Sequence, residues 1–337
     1  MISESNALNG NNKCVAMERS ADPAAPCEAY RPDGRPQQPV DEMLYLTGRP
    51  TLKDFVRFTA NQAVNPPDEG TLAQEWQSAA NVIQALKTEE AGAADNPAIV
   101  KMGPEYKPLL IEFLKDPLVR GGFNTVPTEV AFVELDRLIV YQKHIDLTFA
   151  RDLTAKLGSE PTDEQIFRTC LPFDHPQPPA NWGRVHRDKF AFVSASNDLR
   201  FLDAMELQPR NITDYAPPGN VLGIVGLAVG FGSNFMNAVY TDNRLILNNG
   251  SHRAYVLRKM GLRYVPCIVQ HVSSREEMEL VASSDVRHNP DLFLTHPRPP
   301  MLKDYFDPRL HKIMYVARRL RQVTITFQID ESYVPSL

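Results

Sequence analysis

Apolar positions along the chain change their period near residue 126, from helical spacing to short strand-like runs alternating with helices. Thr51 to Ala60 and Thr71 to Lys87 carry helical spacing, and in the second Leu72, Trp76, Ala79, Ala80, Ile83 and Leu86 fall on one face. Lys107 to Leu114 predicts a third helix. Beyond Val126, Ala131 to Val140 predicts a strand, Thr148 to Leu157 a helix and Phe190 to Ser194 another strand, followed by a polar turn from Ser196 to Arg200. Gly223, Gly226, Gly230 and Gly232 puncture an apolar run that reads as a buried strand whose glycines permit close packing. A hairpin follows, with Val239-Tyr240 and Arg244-Leu245 flanking the turn Thr241-Asp242-Asn243. Arg244 to Leu247 then leads through Asn248-Asn249-Gly250-Ser251-His252-Arg253 into a helix that Gly261 stops, and Gly261 to Val269 continues as a second apolar strand.

The ends of the chain are irregular. Residues 1–45 are interrupted by Pro23, Pro26, Pro32, Pro36 and Pro39 and predict a flexible arm. Cys170 to Arg187 is Pro-rich and reads as a loop. Its Asp174, His175 and His186 match no compact zinc spacing, so a surface loop is the better reading than a metal site. Ser274-Arg275-Glu276-Glu277 is a capping-box sequence that opens a helix through about Ser283. Arg298 to Phe306 reads as an extended strap, and Arg318-Arg319-Leu320-Arg321 as a solvated helix end before the alternating strand Val323 to Phe327. The chain thus divides into a flexible arm over 1–45, a helical region over 46–122, a mixed α+β domain over 123–290, and a strap with a strand over 291–337. The N-terminal helices are expected to pack on the core, with a protein-partner surface as the other use of their apolar faces.

Composition narrows the classes. With 337 residues, 43% of them hydrophobic, the chain can bury a sizeable core. A net charge of -5 lacks the basic footprint of duplex-binding proteins and counts against nucleic acid as a partner. The polar stretch Met1 to Lys13 does not read as a secretion signal, and Val221 to Val229 is too short to cross a bilayer. Cys14, Cys27, Cys170 and Cys267 are too scattered for a metal pair, and Cys267 sits in an apolar strand as a small hydrophobe. A cytoplasmic protein without membrane contact is the expectation.

The block Asn249-Gly250-Ser251-His252-Arg253 carries the chemistry. A strand turning sharply into a helix presents amides without intrahelical partners at the positive end of the helix dipole, which suits a phosphate. His252 and Arg253 would add side-chain donors, and Arg supplies a planar fork for phosphate oxygens. The competing reading is a plain cap in which Ser251 satisfies an orphan amide.

From Leu245 to Val269, this strand, Gly-x-His-Arg turn, Gly-terminated helix and Val-Pro-containing strand resemble the core of the ParB/sulfiredoxin superfamily, and Val130 to Gln142 is similar to its first strand and loop. Asp146 to Pro218 is unlike the compact members. The resemblance implies an α+β fold with a mixed sheet and a nucleotide site at Asn249, Gly250, Ser251, His252 and Arg253. Sulfiredoxins carry a redox Cys where this chain has Ser251, and a hydroxyl cannot replace it. ParB partition proteins carry a Glu in the turn, bind CTP and append a DNA reader; here that Glu is absent. The free-serine kinases have the turn closest to this one, with Asp where Asn249 stands. By that likeness the chain is expected to be an ATP- and Mg2+-dependent phosphotransferase acting on a small metabolite, with His252 stabilising charge and Glu134 or Asp136 as the base. The alternatives are a non-catalytic regulator or scaffold and a ParB-type DNA-associated CTP-binding protein.

Overall fold

The computed structural model describes residues 39–213 and 219–335. In chain order, β1 (Val40–Leu46), α1 (Leu52–Gln62), α2 (Glu69–Glu89), β2 (Ile99–Lys101), α3 (Lys107–Phe113) and α4 (Pro117–Gly122) lead to β3 (Thr128–Glu134), β4 (Ile139–Val140), β5 (His144–Asp146), α5 (Leu147–Leu157) and α6 (Asp163–Cys170). There follow β6 (Ala180–His186), β7 (Lys189–Ser194), β8 (Leu199–Leu207) and β9 (Ile224–Phe231), then β10 (Asn237–Thr241), β11 (Arg244–Asn249), α7 (Ser251–Lys259) and β12 (Tyr264–His271). The chain closes with α8 (Arg275–Val281), α9 (Ser284–His288), β13 (His311–Ala317) and β14 (Arg321–Thr326). The architecture is mixed α+β, with helices packed on several sheets.

The central sheet has six strands in the order β2-β3-β12-β10-β11-β4. Next to the edge strand β4 lies the β10–β11 hairpin, whose turn places Asp242 and Asn243 at φ 49° and 59°. Two consecutive left-handed residues match the twist of the flanking strands, and Asp and Asn tolerate that conformation best among residues with a Cβ. Alternation along β11 sends Leu245 and Leu247 into the larger core, with α5, α6 and α7, while Ile246 joins Ile139, Val239 and Phe293 on the opposite side.

A second sheet, β13-β1-β5, joins the two ends of the described chain. Residues 1–38 of the expected arm lie outside the described residues, but its last part is not an arm. Val40–Leu46 pairs with β13 along its whole length and with β5, and Leu44, Tyr45 and Leu46 are all buried. A strand with partners on both edges forms whatever its local propensity, and the partner β13 lies too far along the sequence for a local pattern to reveal. The N-terminal helices pack as expected, with Phe55 of α1 and Leu72 of α2 against Tyr45, Met314 and Val316.

Other expectations are corrected in the same way. The strand expected over Ala131 to Val140 breaks at Glu134 into a 3-10 turn before β4 resumes pairing, so alternation does not place Glu134 and Asp136 on one face. Ala180–His186, within the Pro-rich segment, is a strand because β7 pairs with it. β9 is not buried. It pairs with β8 in a two-stranded ribbon that leaves Val225 and Leu227 exposed, although Gly226 does permit close packing, since a Cβ there would lie 3.1 Å from Met205 and Leu207. Residues 318–320 connect β13 to β14 rather than ending a helix.

The strap beginning at Arg298 is held by buried charge. The Arg298 guanidinium, 1% exposed, donates to Asp304 at 2.5 and 3.1 Å and to Glu90 at 2.7 Å, and Arg49 adds a contact to Asp304 at 3.3 Å. Burial would lower the Arg298 pKa, but Asp304 and Glu90 reverse this and raise it. The network joins the turn after β1, the end of α2 and the strap. Replacing Arg298 by Ala leaves Asp304 buried opposite Arg49 alone, and the expected loss is about 3–5 kcal/mol in urea unfolding; a loss below about 1 kcal/mol would show that the network does not hold the strap.

Candidate functional site

The Asn249–Arg253 turn lies at the end of β11, in the middle of the molecule's main core. Gly250 takes φ 106° and ψ 18°, a conformation that residues with a Cβ rarely adopt, and a Cβ there would come within 2.9 Å of Met236 Cγ. α7 starts directly after it. No side chain caps the first turn, and the Ala254 amide is the one that donates back to Gly250 C=O, at 2.9 Å. The helix start therefore presents donors at its positive end. The C-terminus behaves as the sequence predicts: Gly261 has φ 93° and the Leu262 amide closes back on Leu257 C=O at 3.1 Å.

The two long side chains of the turn point inward. Arg253 is 7% exposed, and its Nη1 donates to Thr169 C=O at 3.2 Å, Cys170 C=O at 3.1 Å and Asn234 C=O at 2.7 Å. No carboxylate among the described residues pairs with it. Thr169 and Cys170 end α6, so the negative end of that helix dipole stands in for a counter-ion. Burial pulls the Arg253 pKa below the usual arginine value, yet a guanidinium stays charged in proteins. His252 Nε2 accepts the Asp146 amide at 2.9 Å, its ring lying edge-on to Phe149. Accepting requires a neutral imidazole, and burial, aided by His144 and Arg253, lowers its pKa to about 4. Asp146 at the same time caps α5 through Oδ1 to the Phe149 amide at 2.9 Å.

Around the turn, amide side chains form a network. Asn249 Nδ2 donates to Ser233 C=O at 3.3 Å. Asn248 Nδ2 donates to Asn237 Oδ1 and Val281 C=O, both at 3.1 Å, and its own carbonyl accepts the Tyr141 hydroxyl at 2.6 Å. Ser283 Oγ is buried beside the Tyr141 hydroxyl, whose pKa burial raises and the Ser283 hydroxyl partly opposes. Arg200, at the base of β8, reaches over Gly232, where its Cζ lies 2.7 Å from the place a Cβ would occupy. Asn248 and Tyr141 lie within segments that the sequence singles out, though no local pattern gives them a role at the turn; Ser283 and Arg200 reach it only through folding.

The structure does not bring the expected carboxylates to this turn. Glu134 is buried in ion pairs with Arg263 at 2.9 Å and Arg137 at 3.4 Å, and Asp136 pairs with Arg258. No hydrogen bond or ion pair joins either to Asn249–Arg253. His175 pairs with Asp116 at 2.5 Å and His186, at the end of β6, with Asp188 at 2.9 Å, and no group of three or more His, Cys, Asp or Glu among the described residues could hold a metal ion. The donors that a phosphate chain would meet at the turn are the uncapped backbone amides, and Ser251, which carries the first of them, is itself buried. For Mg2+, the Asp146 carboxylate already caps α5, and His252 touches only the Asp146 amide, so phosphate oxygens would have to supply most of the ligands. Cys267 is buried in β12, and burial pushes its thiol well up. No helix among the described residues is long and apolar enough to cross a membrane. Comparison of the chain with protein-family models, with curated proteins and with solved structures finds no match.

The His252 contact predicts a pH dependence. A pKa near 4 when folded, against about 6.5 unfolded, means the unfolded chain binds more protons between those values. The stabilisation is complete above about pH 6.5 and is lost as pH falls towards 4, by at most about 1.4 kcal/mol per pH unit. Urea unfolding of wild type and His252→Gln at pH 7 and pH 5 should show the larger loss in wild type; equal losses would remove His252 as the source.

Proposed function

We propose that this chain is a nucleotide-binding protein whose Asn249–Arg253 turn receives the phosphate groups, in a ParB/sulfiredoxin-like domain. The observation that carries the reading is the uncapped start of α7 behind a left-handed Gly250. In this reading the backbone amides of Ser251 and His252 hold phosphate oxygens, and Asn249 orients the turn through Ser233. His252 and Arg253 act from behind. Their tethers to Asp146 and to the end of α6 hold the amides in place before a ligand arrives, so little ordering cost remains at binding. ATP with Mg2+ is the first ligand to test, the ion neutralising charge on the phosphate oxygens.

Within that reading, a non-catalytic regulator is favoured over a phosphotransferase on a small metabolite. The two donors that would stabilise a transferred group are engaged inside the protein, and the two carboxylates that would serve as base are held in ion pairs. A transferase needs a carboxylate that can accept a proton from the acceptor hydroxyl, in hydrogen-bond reach of it. A ParB-type DNA partner finds less support, given the net charge of -5.

Calorimetric titration with ATP, ADP and CTP, each with magnesium, tests the reading. Saturable binding is expected, with affinity reduced at least about tenfold in Gly250→Ala, whose added Cβ displaces the turn; thermal unfolding of the variant checks that it still folds. Absence of binding by any of the three sinks the proposal. Release of ADP on adding serine or another hydroxyl acceptor would restore the transferase.

A further inference from the structure

Away from the turn, β6, β7 and β14 form a three-stranded antiparallel sheet in the order β14-β7-β6. Its register sorts side chains by face. Trp182, Phe192 and Val323 lie abreast, as do Arg184, Phe190 and Ile325 one pair further on. The opposite face carries Asn181, Gln322 and Thr324, with Ala191 and Val193 between them. The aromatic face is half-buried at Phe190 and Phe192 but open at its edge, where Trp182 is 69% exposed and Phe327 37%. A large aromatic left in water beside half-buried rings calls for an occupant.

The rings are arranged for stacking. Trp182 lies on Phe192 with centroids 5.4 Å apart and planes 8° from parallel, and Phe190 stacks on Phe327 at 6.4 Å and 26°. The Arg184 guanidinium sits 5.0 Å from the Phe190 ring. Charge completes the pattern. The three strands and their connecting turn carry the cations Arg184, Arg187, Lys189 and Arg321 against a single acid, Asp188, which His186 already engages, in a chain whose net charge is -5; the register puts Arg184 and Arg321 on the aromatic face and Lys189 on the other, and Arg321 Nε donates to Leu199 C=O at 3.3 Å. Aromatic platforms bordered by Arg and Lys bind planar, unpaired bases through their faces and the phosphates through the cations. A duplex, with its bases stacked inside, offers no faces to this surface.

We propose that this sheet face binds single-stranded nucleic acid, with a base stacked on Trp182 and phosphates along Arg184 and Arg321. The overall acidity of the chain concealed the patch, since net charge averages over segments that folding separates. The proposal does not depend on the nucleotide reading of the α7 turn.

The test is fluorescence anisotropy of a labelled oligothymidine and oligouridine, each about twelve nucleotides long, with the full chain at low and physiological salt. Saturable binding that weakens with salt is expected, reduced at least roughly fivefold by Trp182→Ala and largely retained by Trp182→Phe. Arg184→Glu should weaken it as well. Trp182 is mostly exposed, so these variants keep the fold, and ATP titration of Trp182→Ala should match wild type whatever that titration shows. No binding at low salt, binding unchanged in Trp182→Ala, or equal competition by polyglutamate or by a duplex of the same length would overturn the proposal.

Discussion

A buried guanidinium without a carboxylate organises the core of this protein. Arg253 reaches from the first turn of α7 to the last carbonyls of α6 and to Asn234 just ahead of β10. A charge in that position is tolerable only if dipoles replace the water it has lost, and three converging carbonyls with a helix C-terminus do so. The same contacts then restrict everything they touch. α6 must end where its carbonyls converge, the segment before β10 must bring Asn234 inward, and α7 must begin with Gly250 in a left-handed conformation. His252 adds the second tether, to the start of α5.

Those tethers separate two roles that one motif seems to combine when written as letters. The side chains of His252 and Arg253 serve the fold, and those of Asn248 and Asn249 are engaged in it too, so what the turn leaves without a side-chain cap is the first backbone amides of α7. Such a division makes a rigid turn, because its side chains are locked by packing. It does not make a proton-transfer site, for which a free base must stand beside the acceptor. The charge network of Arg298, Asp304, Glu90 and Arg49 follows a comparable logic elsewhere in the chain, but with acids present: its ions pair with one another and fix the course of the strap, and only Arg49 Nε among its buried nitrogens lacks a hydrogen-bond partner.

The sheet β14-β7-β6 and the β8-β9 ribbon obey different constraints from the core. The central sheet is covered on both faces by apolar clusters, whereas the β6-β7-β14 sheet and the β8-β9 ribbon expose Trp182, Val225 and Leu227. Cross-strand pairs and backbone ladders hold them, with Leu199 and Ser194 buried where sheet and ribbon meet and Arg321 Nε donating to Leu199 C=O. Arg200, at the base of the ribbon, leans over Gly232, next to the Ser233 that accepts the Asn249 amide side chain.

Local pattern by itself determined the helices with a clear apolar stripe, the β10–β11 hairpin through Asp242-Asn243, the strand-turn-helix around Gly250 and the stop at Gly261, because each depends on residues within a few positions of one another. Only the tertiary structure decided that Val40–Leu46 is a strand, since its partner β13 lies at the far end of the chain, and that β9 is an exposed ribbon, since an apolar run is the same in either setting. It decided, too, where His252, Arg253, Glu134 and Asp136 point. A side chain's direction depends on which carbonyls, amides and ions fold up beside it, and those of Thr169, Asp146, Arg263 and Arg258 come from segments whose approach no local spacing encodes.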